Sequence, residues 1–209
     1  MKRLVNLNDV ELAARQGVDV IIDDQTIITP YAADRAKDLG VRFVKKKETE
    51  SKGPDPTEVQ EVKVVVLGAD HGGFALKEEL LAFVRSMGYS VIDVGTYSSQ
   101  SCDYPDFAFK VADAVARGEA QRGIMIDSVG IGSAMAANRV AGVLAAKCNN
   151  TVEAQSAREH NYANVLTLGA KIIGENMARE IVRVFLTTPG GAERHRRRVK
   201  KILTYSNEH

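Results

Sequence analysis

A glycine-rich segment that follows an apolar, strand-like run carries two side chains able to do chemistry. Residues 68–73 set Asp70 and His71 among glycines. Glycines let a backbone approach a ligand closely, and the start of a following helix favours an anion. The segment therefore predicts a ligand contact. The same spacing also suits Asp70 as a helix cap and His71 as a surface loop residue, and both alternatives stay open.

Residues 127–133 form a second segment of this kind, at the end of another buried strand. Gly130 and Gly132 match a dinucleotide-binding fingerprint only loosely, because a third glycine and a later acidic residue are missing. A nicotinamide cofactor is therefore not expected. Consecutive backbone amides near a helix start can instead hold a developing oxyanion. Asp127 suits either a general base or a helix cap.

Two later segments add titratable and basic groups. His160 and Asn161 stand where a helix ends or a loop begins; His160 can exchange protons near neutral pH, although such a pair is more often structural. Residues 194–201 are strongly basic, and on a helix Arg194 and Arg198 share a face, spaced to clamp one phosphate. A solvated face and a nucleic-acid patch are the alternatives, but the segment lacks the aromatic residues that base stacking needs.

The composition limits the function classes. The 209 residues include 28 basic and 27 acidic ones, and the net charge of +1 gives no argument for nucleic-acid binding. A hydrophobic share of 44% with 26% charged residues is typical of globular proteins, and no apolar run approaches the roughly 18 residues of a membrane span. Without a signal-peptide pattern, and with only Cys102 and Cys148, we expect a cytoplasmic protein without a disulfide framework or a cysteine metal site.

The composition also divides the chain. Residues 46–61 are charged and contain glycine and proline but no apolar face, which is typical of a linker. Residues 1–45 form a unit near the lower size limit for independent folding, and we expect it to serve docking, targeting or oligomerisation. Its predicted elements are a helix from a cap at Asn8-Asp9 to Ala14, a strand over 18–22, a helix between Thr29-Pro30 and Gly40, and a strand over 41–44.

Residues 62–209 alternate short apolar strands with helices. The predicted strands are residues 62–67, 90–94, 123–126, 143–146 and 165–168. Such alternation indicates an α/β fold in which helices cover both faces of a parallel sheet. We therefore expect a doubly wound, Rossmann-like, three-layer domain with a small N-terminal extension, and a ligand site at the carboxyl ends of the strands. No internal repeat is evident.

Taken in order, the motifs of this domain resemble those of the family of ribose-5-phosphate isomerase B and the galactose-6-phosphate isomerase subunits. The resemblance covers the chain from Val62 to about Ile202. Its motifs are residues 68–74, 91–96, 103–105, 123–126, 130–132, 136–139, 160–161 and 194–195 with 198. No single motif is decisive, whereas the ordered set is specific.

This resemblance implies an aldose–ketose isomerisation of a phosphorylated sugar through an enediolate, with no metal and no organic cofactor. It implies that His160 helps to open the sugar ring and that Asn161 helps to hold the transition state. The backbone amides from Ser128 to Gly132, with Gly130 between them, would stabilise the enediolate.

The resemblance also implies how the substrate and the subunits come together. The expected substrate-binding residues are Asp70 and Tyr104 for the sugar, His71, Arg194 and Arg198 for the phosphate, and Asn138 beside them. Sites in this family are shared between two subunits, which implies a homodimer or a tetramer. Neither nucleic acid nor a membrane is an expected partner.

One position departs from the family pattern. The usual base is a cysteine at the end of the third strand, where this chain has Asp127. A threonine that usually follows two residues later is here Val129, and a glutamate that some relatives place after the glycine loop is here Ser133. The segment is more similar to the A subunit of galactose-6-phosphate isomerase. Three alternatives follow: Asp127 is the base, which we favour; a partner supplies the base; or the fold binds sugar phosphates without isomerising them.

The first unit lies outside the usual extent of the family. Its pattern over residues 27–41 resembles short segments attached to enzymes of bacterial microcompartments. That resemblance implies contact with a microcompartment shell or cargo through residues 1–45, and a location inside such a compartment. The alternative is an appended element for oligomerisation or solubility.

Overall fold

The computed structural model describes residues 4–22, 26–45, 53–58 and 60–205. The chain divides into two compact units, Met1–Lys52 and Gly53–His209. Each unit has its own buried apolar core. No helix within the described residues is long and apolar enough to cross a membrane.

The first unit contains four short strands and two helices. Its elements are β1 (Leu4–Val5), α1 (Leu7–Gln16), β2 (Val20–Ile22), β3 (Ile27–Ile28), α2 (Pro30–Leu39) and β4 (Phe43–Lys45). Strand β1 pairs with β3, and β2 pairs with β4, both in parallel. The core of the unit consists of Val5, Val10, Ala13, Val20, Ala32 and Ala36.

The first helix begins two residues earlier than its sequence predicts. Asn6 is the N-cap, because its side chain accepts hydrogen bonds from the amides of Asn8 and Asp9. The Asp9 carboxylate accepts the Asn6 amide in return, which completes a capping box. Asn8 and Asp9 therefore lie inside the first turn. The prediction for the second helix is confirmed, since Thr29 caps it and Gly40 ends it.

The two halves of this unit repeat each other at a spacing of 23 residues. Asn6 and Thr29 hold the same capping position. Gly17 and Gly40 end the two helices in the same left-handed conformation, with φ of 66° and 67°. The strand partners Leu4 and Ile27 keep the same spacing. The sequence conceals this repeat, because few equivalent positions are alike: Ala13 matches Ala36 and Val18 matches Val41, whereas Leu12 corresponds to Arg35 and Ile22 to Lys45.

The larger unit is the three-layer α/β domain that the alternating pattern predicts. Its elements are β5 (Val64–Ala69), α3 (Phe74–Ser86), β6 (Ser90–Asp93), α4 (Tyr104–Ala116), β7 (Arg122–Asp127), α5 (Ile131–Ala137), β8 (Ala145–Lys147), α6 (Thr151–Glu159), β9 (Val165–Gly169), α7 (Glu175–Thr187) and α8 (Glu193–Tyr205). The five strands are parallel, in the order β6-β5-β7-β9-β8. Helices α3, α6 and α7 pack on one face, and α4 and α5 on the other.

Part of the segment expected to be a linker packs on this domain. Gly53 lies so close to α4 that a Cβ there would be 1.8 Å from the carbonyl oxygen of Ala116. Thr57 is buried and donates its amide and hydroxyl to the Asp55 carboxylate. Residues 53–58 therefore belong to the larger unit, although their composition is that of a linker. The other half of the expected linker, residues 46–52, lies outside the described residues.

Strands β5 and β7 are neighbours in the sheet, and the direction in which the chain adds strands reverses between them. From β5 it moves outward to β6, and it then returns to β7 on the other side. Ligands of open α/β sheets bind at such a switch point, beyond the carboxyl ends of the strands. Both glycine-rich segments follow these two strands, so the fold brings them to one place.

Candidate functional site

The loop after β5 is folded by the Asp70 carboxylate. Asp70 is buried, and its Oδ1 accepts the amides of Gly72 and Gly73 at 2.8 and 3.0 Å. Its own amide donates to the Ile126 carbonyl oxygen on β7. Asp70 thus fixes the loop that leads into α3 through its Oδ1, but it is not the helix cap that one alternative predicts, because Gly73 is the N-cap of α3 and no side chain caps that helix.

This loop contains glycines because it lies very close to strand β7 and to the loop that follows it. A Cβ on Gly72 would lie 2.3 Å from the Ser128 hydroxyl, and one on Gly73 would lie 2.3 Å from the Ile126 carbonyl oxygen. Any side chain at either position would push the two loops apart. The glycines therefore bring the Asp70 loop directly against the loop that follows β7.

The loop after β7 is organised by Asp127. This residue is 5% exposed, and its Oδ1 accepts the amides of Val129, at 2.6 Å, and of Gly130. Its Oδ2 accepts the amide and the hydroxyl of Ser133, which is fully buried. A carboxylate has about four lone-pair positions, so these four donors occupy them all. Asp127 is thus a turn-forming residue, whatever else it does.

This arrangement changes the role expected for two backbone amides. The amides of Val129 and Gly130 were expected to face an enediolate, but both donate to Asp127 because the carboxylate folds the loop back on itself. The amides of Ser128 and Gly132 do not donate to that carboxylate. These two amides can therefore donate hydrogen bonds to a developing oxyanion.

Tyr104 forms one wall beside the loop. It begins α4, and its ring lies against Gly132, where a Cβ would be 2.6 Å from Cζ and 2.8 Å from the hydroxyl oxygen. The residue is 39% exposed. The Tyr104 hydroxyl is therefore held at the start of α5, open to a ligand.

His71 is held by the segment that leads into α4. Its Nδ1 lies 3.2 Å from both the amide and the carbonyl oxygen of Cys102, and 4.0 Å from the Cys102 sulfur. The ring nitrogen left for a ligand is therefore Nε2. The half-exposed Cys102 lies at the edge of the site, whereas Cys148 is buried, and burial raises the pKa of its thiol to about 12. Cys148 is thus no substitute for a thiolate base.

A buried lysine supports the same loops from behind. The Lys77 side chain is fully buried, and its Nζ donates to both carboxylate oxygens of Asp93, at 2.9 and 2.8 Å. Asp93 also accepts the amide of Gly95, whose carbonyl oxygen accepts the amide of Ala69, the last residue of β5. Lys77 thereby ties the first turn of α3 to the strand end that precedes Asp70.

A second group of expected site residues lies where α6 ends and α8 begins. His160 is the C-cap of α6, and its Nδ1 lies 3.2 Å from the Ser156 hydroxyl oxygen. The exposed Asn161 follows it, and the exposed Arg194 and Arg198 lie one turn apart on α8. This part of the chain borders a cleft of about 220 Å³ whose lining includes Glu159, His160, Gly190, Gly191, Arg194 and His195.

The loop before α8 is held firmly against α6. The Tyr162 hydroxyl donates to the Gly191 carbonyl oxygen at 2.5 Å, and Arg158 donates to the carbonyl oxygen of Thr188. A Cβ on Gly190 would lie 2.2 Å from the Tyr162 ring, so this close packing requires glycine. These contacts place the first turn of α8 over the end of α6.

The ring of His195, on that first turn, stacks on His160. The two ring centroids are 4.5 Å apart and the planes are inclined by 25°. Partial removal from water lowers the pKa of His195, and the nearby Arg194, His160 and Arg198 lower it further, while Glu159 acts in the opposite direction. These surroundings therefore disfavour the positively charged form of the His195 ring.

The structure thus forms two groups from the expected residues. Among the contacts given for the described part of the chain, none joins the group at β5 and β7 to the group at α6 and α8. Asn138 belongs to neither group, because its side-chain amide is engaged with the backbone of Ala134 and Ala145. It links α5 to β8 instead. The described residues contain no cluster of three or more side chains that could hold a metal ion.

Sequence reasoning assigned no role to four residues that shape these groups. Ser133 and Lys77 support the first group, and Ser156 and His195 support the second. Lys77 had a visible signal, since it shares the buried face of α3 with residues 81 and 84 at helical spacing. The contacts of the other three join segments whose proximity only the fold reveals.

The two groups of residues are suited to proton transfer on a ligand that carries a phosphate. The first group offers a carboxylate, a phenol and backbone amides at a helix start, which suit an oxyanion. The second group offers two guanidinium groups for a phosphate and an imidazole for acid–base work.

Comparison with known proteins gives a consistent result. A family model described as "Ribose/Galactose Isomerase" matches residues 65–202. Ribose-5-phosphate isomerase B of Escherichia coli is 43% identical over 141 residues, which cover 68% of this chain and 95% of that protein. The galactose-6-phosphate isomerase subunit LacA 1 of Streptococcus pyogenes is 40% identical over 138 residues, covering 66% and 96%.

Comparison with solved structures indicates the same family. Ribose-5-phosphate isomerase B of Clostridium thermocellum superposes with a TM-score of 0.68 at 45% identity, covering 69% of this chain and 98% of that one. The family match begins after the first unit, so that unit lies outside it.

Proposed function

The chain belongs to the ribose/galactose isomerase family of sugar-phosphate isomerases, and on that premise we propose a cofactor-free aldose–ketose isomerisation through an enediolate. The proposed substrate pair is ribose 5-phosphate and ribulose 5-phosphate. It is supported by two relatives whose names state ribose-5-phosphate isomerase B and which this chain matches over nearly their whole length.

One observation carries the proposal: the glycine loop after β7 packs against both Tyr104 and the Asp70 loop. A sugar lying on this loop would have its carbonyl oxygen near the amides of Ser128 and Gly132. Its hydroxyl groups would lie near the Tyr104 phenol and the second oxygen of Asp70. Electrostatic stabilisation of this kind is a large term in reactions that develop an oxyanion.

Asp127 is the proposed base. A base needs a free lone pair, so one of the four donors to Asp127 must leave before it can take a proton from carbon. The Ser133 hydroxyl is the donor that can leave at least cost, because it can rotate about its own bond while the three amides are fixed. Its rotation would free Oδ2 without unfolding the loop.

The second group of residues is proposed to complete the site of another copy of the chain. His160 would open the sugar ring, Asn161 would help to hold the transition state, and Arg194 and Arg198 would bind the phosphate together with the partner's His71. Two observations support a shared site in a homodimer or tetramer. In the described part of the chain no hydrogen bond or ring contact joins the two groups, and three exposed apolar side chains lie in or just after the loop that follows β7.

These apolar side chains are suited to an interface. Val129 and Ile131, at the glycine loop, and Met135, one turn further along α5, are 41%, 50% and 68% exposed. A contiguous apolar patch on a soluble protein commonly marks a binding surface. A second subunit placed here would cover the patch and bring its own residues to the loop.

A partner-dependent binding subunit is the second candidate function. The observation that favours it is the full hydrogen bonding of Asp127, which leaves no lone pair free in this structure. In that case the loop would bind the sugar phosphate, and a different chain would supply the base.

The purified chain, assayed alone against a panel of aldopentose and aldohexose phosphates, distinguishes these candidates. Ketose phosphate formation followed by NMR supports the isomerase. Binding of the sugar phosphate without turnover, at protein concentrations where the chain is dimeric, supports the partner-dependent subunit. The role of residues 1–45 in docking, targeting or oligomerisation, including contact with a microcompartment, stays a prediction.

A further inference from the structure

The ring of His160 is held by two contacts, although the residue is exposed. His160 is held on one edge by Ser156, through Nδ1, and on one face by the ring of His195. His195 is in turn placed by the first turn of α8, where its amide donates to the Ala192 carbonyl oxygen at 2.8 Å. His160 lines the cleft, and because Nδ1 is held by Ser156, Nε2 is the ring nitrogen left for a ligand.

We propose that His195 is a positioning residue that holds the His160 ring in the orientation for opening the sugar ring. This inference rests on the proposed function, in which His160 carries out that step. Opening a furanose requires a proton at the ring oxygen and the removal of one from the anomeric hydroxyl. A freely rotating imidazole is rarely oriented for these two proton transfers, whereas a stacked imidazole is held in one orientation.

The charges around the pair suit this role. Arg194 and Arg198 flank His195 from its own helix, and Glu159 and His160 face it from the end of α6. Partial removal from water and the two arginines both lower the pKa of His195, so they disfavour a positive charge on its ring. His195 therefore acts through its ring face rather than through its charge.

The test separates ring opening from substrate binding. The variants are His195→Ala, which removes the stack, and His195→Phe, which keeps an aromatic face but no ring nitrogen. Arg197→Ala, an exposed position on the same helix, is the control. Each variant is measured for kcat/KM on ribose 5-phosphate, which must be opened, and for the inhibition constant of an open-chain five-carbon polyol 5-phosphate, which needs no opening.

Positioning predicts that His195→Ala lowers kcat/KM by roughly 10- to 100-fold, while the inhibition constant of the polyol phosphate stays within about twofold. His195→Phe and Arg197→Ala should keep kcat/KM within about threefold of the starting protein. An equal loss of polyol phosphate affinity, an unchanged His195→Ala variant, or a His195→Phe variant as impaired as His195→Ala would each overturn the inference. Failure of the unaltered chain to isomerise any sugar phosphate would instead refute the proposed function.

Discussion

Replacing Asp127 by asparagine tests the proposed base, and the structure gives the accompanying cost in stability. The carboxylate accepts four buried hydrogen bonds, two at each oxygen. In the asparagine variant an NH2 group replaces one oxygen, so two donors lose their acceptor. Each unsatisfied buried donor costs about 1–3 kcal/mol, and the free energy of unfolding should therefore fall by about 2–6 kcal/mol.

The catalytic effect should exceed this structural effect. A general base contributes about 10²- to 10⁴-fold to the rate, so kcat should fall by that factor in Asp127→Asn. The assay combines urea unfolding, steady-state isomerisation and inhibition by a linear polyol phosphate, all under conditions where the variant is folded. We expect the inhibition constant to change little, because the polyol phosphate binds without proton transfer.

Thr167→Val is the matched control for damage to the loop. The Thr167 hydroxyl is buried and donates to the Gly130 carbonyl oxygen at 2.8 Å, so valine removes a loop hydrogen bond at nearly constant shape without touching Asp127. This variant should lose about 1–2 kcal/mol of stability and keep kcat within a few-fold. A folded Asp127→Asn variant with unchanged kcat would refute the base, and an equal loss in Thr167→Val would show that loop order alone explains the effect.

Three further predictions concern the phosphate, the buried charges and the first unit. Arg198→Ala should raise KM for phosphorylated sugars by about tenfold or more and leave free sugars unaffected; steady-state kinetics showing equal effects on both would count against the clamp. Burial lowers the pKa of Arg122 to about 10, so its charged form is penalised at pH 7 and relieved only as the pH rises above that value. Burial also lowers the pKa of Arg158, to about 9, but Arg158 donates to the carbonyl oxygens of Ala163 and Thr188, whereas Arg122 donates to that of Gln121 and keeps a buried Nε without a partner. Arg122→Met should therefore raise the free energy of unfolding by about 1–2 kcal/mol in urea at pH 7, whereas Arg158→Met should lower it; the same sign for both would contradict this reasoning. Deletion of residues 1–52 should leave a folded, active domain, while deletion of residues 1–60 should lower Tm because it removes the packed segment; circular dichroism of both tests this.

Much of the larger unit could be predicted because strands β5 and β9 are short, buried and, apart from Thr167, apolar. Strand β5 is followed by a glycine-rich polar turn and β9 ends in a glycine, so the local pattern and the fold agree. The ends of β5 and β7 could then be placed side by side. The segment 53–58 could not be predicted, because its packing on α4 depends on backbone contact at Gly53 rather than on an apolar face.

The residues proposed for the site come from the sequence, whereas their arrangement is seen only in the structure. The position of Asp127 at a strand end was readable from the sequence, whereas its four donors were not, since Ser133 reaches the carboxylate from within α5. The stack of His160 on His195 joins residues 35 positions apart through the fold of the intervening loop. Long-range contacts of this kind leave no local periodicity in a single sequence.

The central claim is that this chain itself isomerises a phosphorylated sugar by proton transfer. The direct measurement is incubation of the purified full chain with ribose 5-phosphate in D2O, followed by proton NMR. We predict ribulose 5-phosphate that carries deuterium at C1, the carbon that receives the proton, because the base exchanges the proton taken from C2 with the solvent. A folded, dimeric chain that binds the sugar phosphate and forms no ketose would contradict the claim.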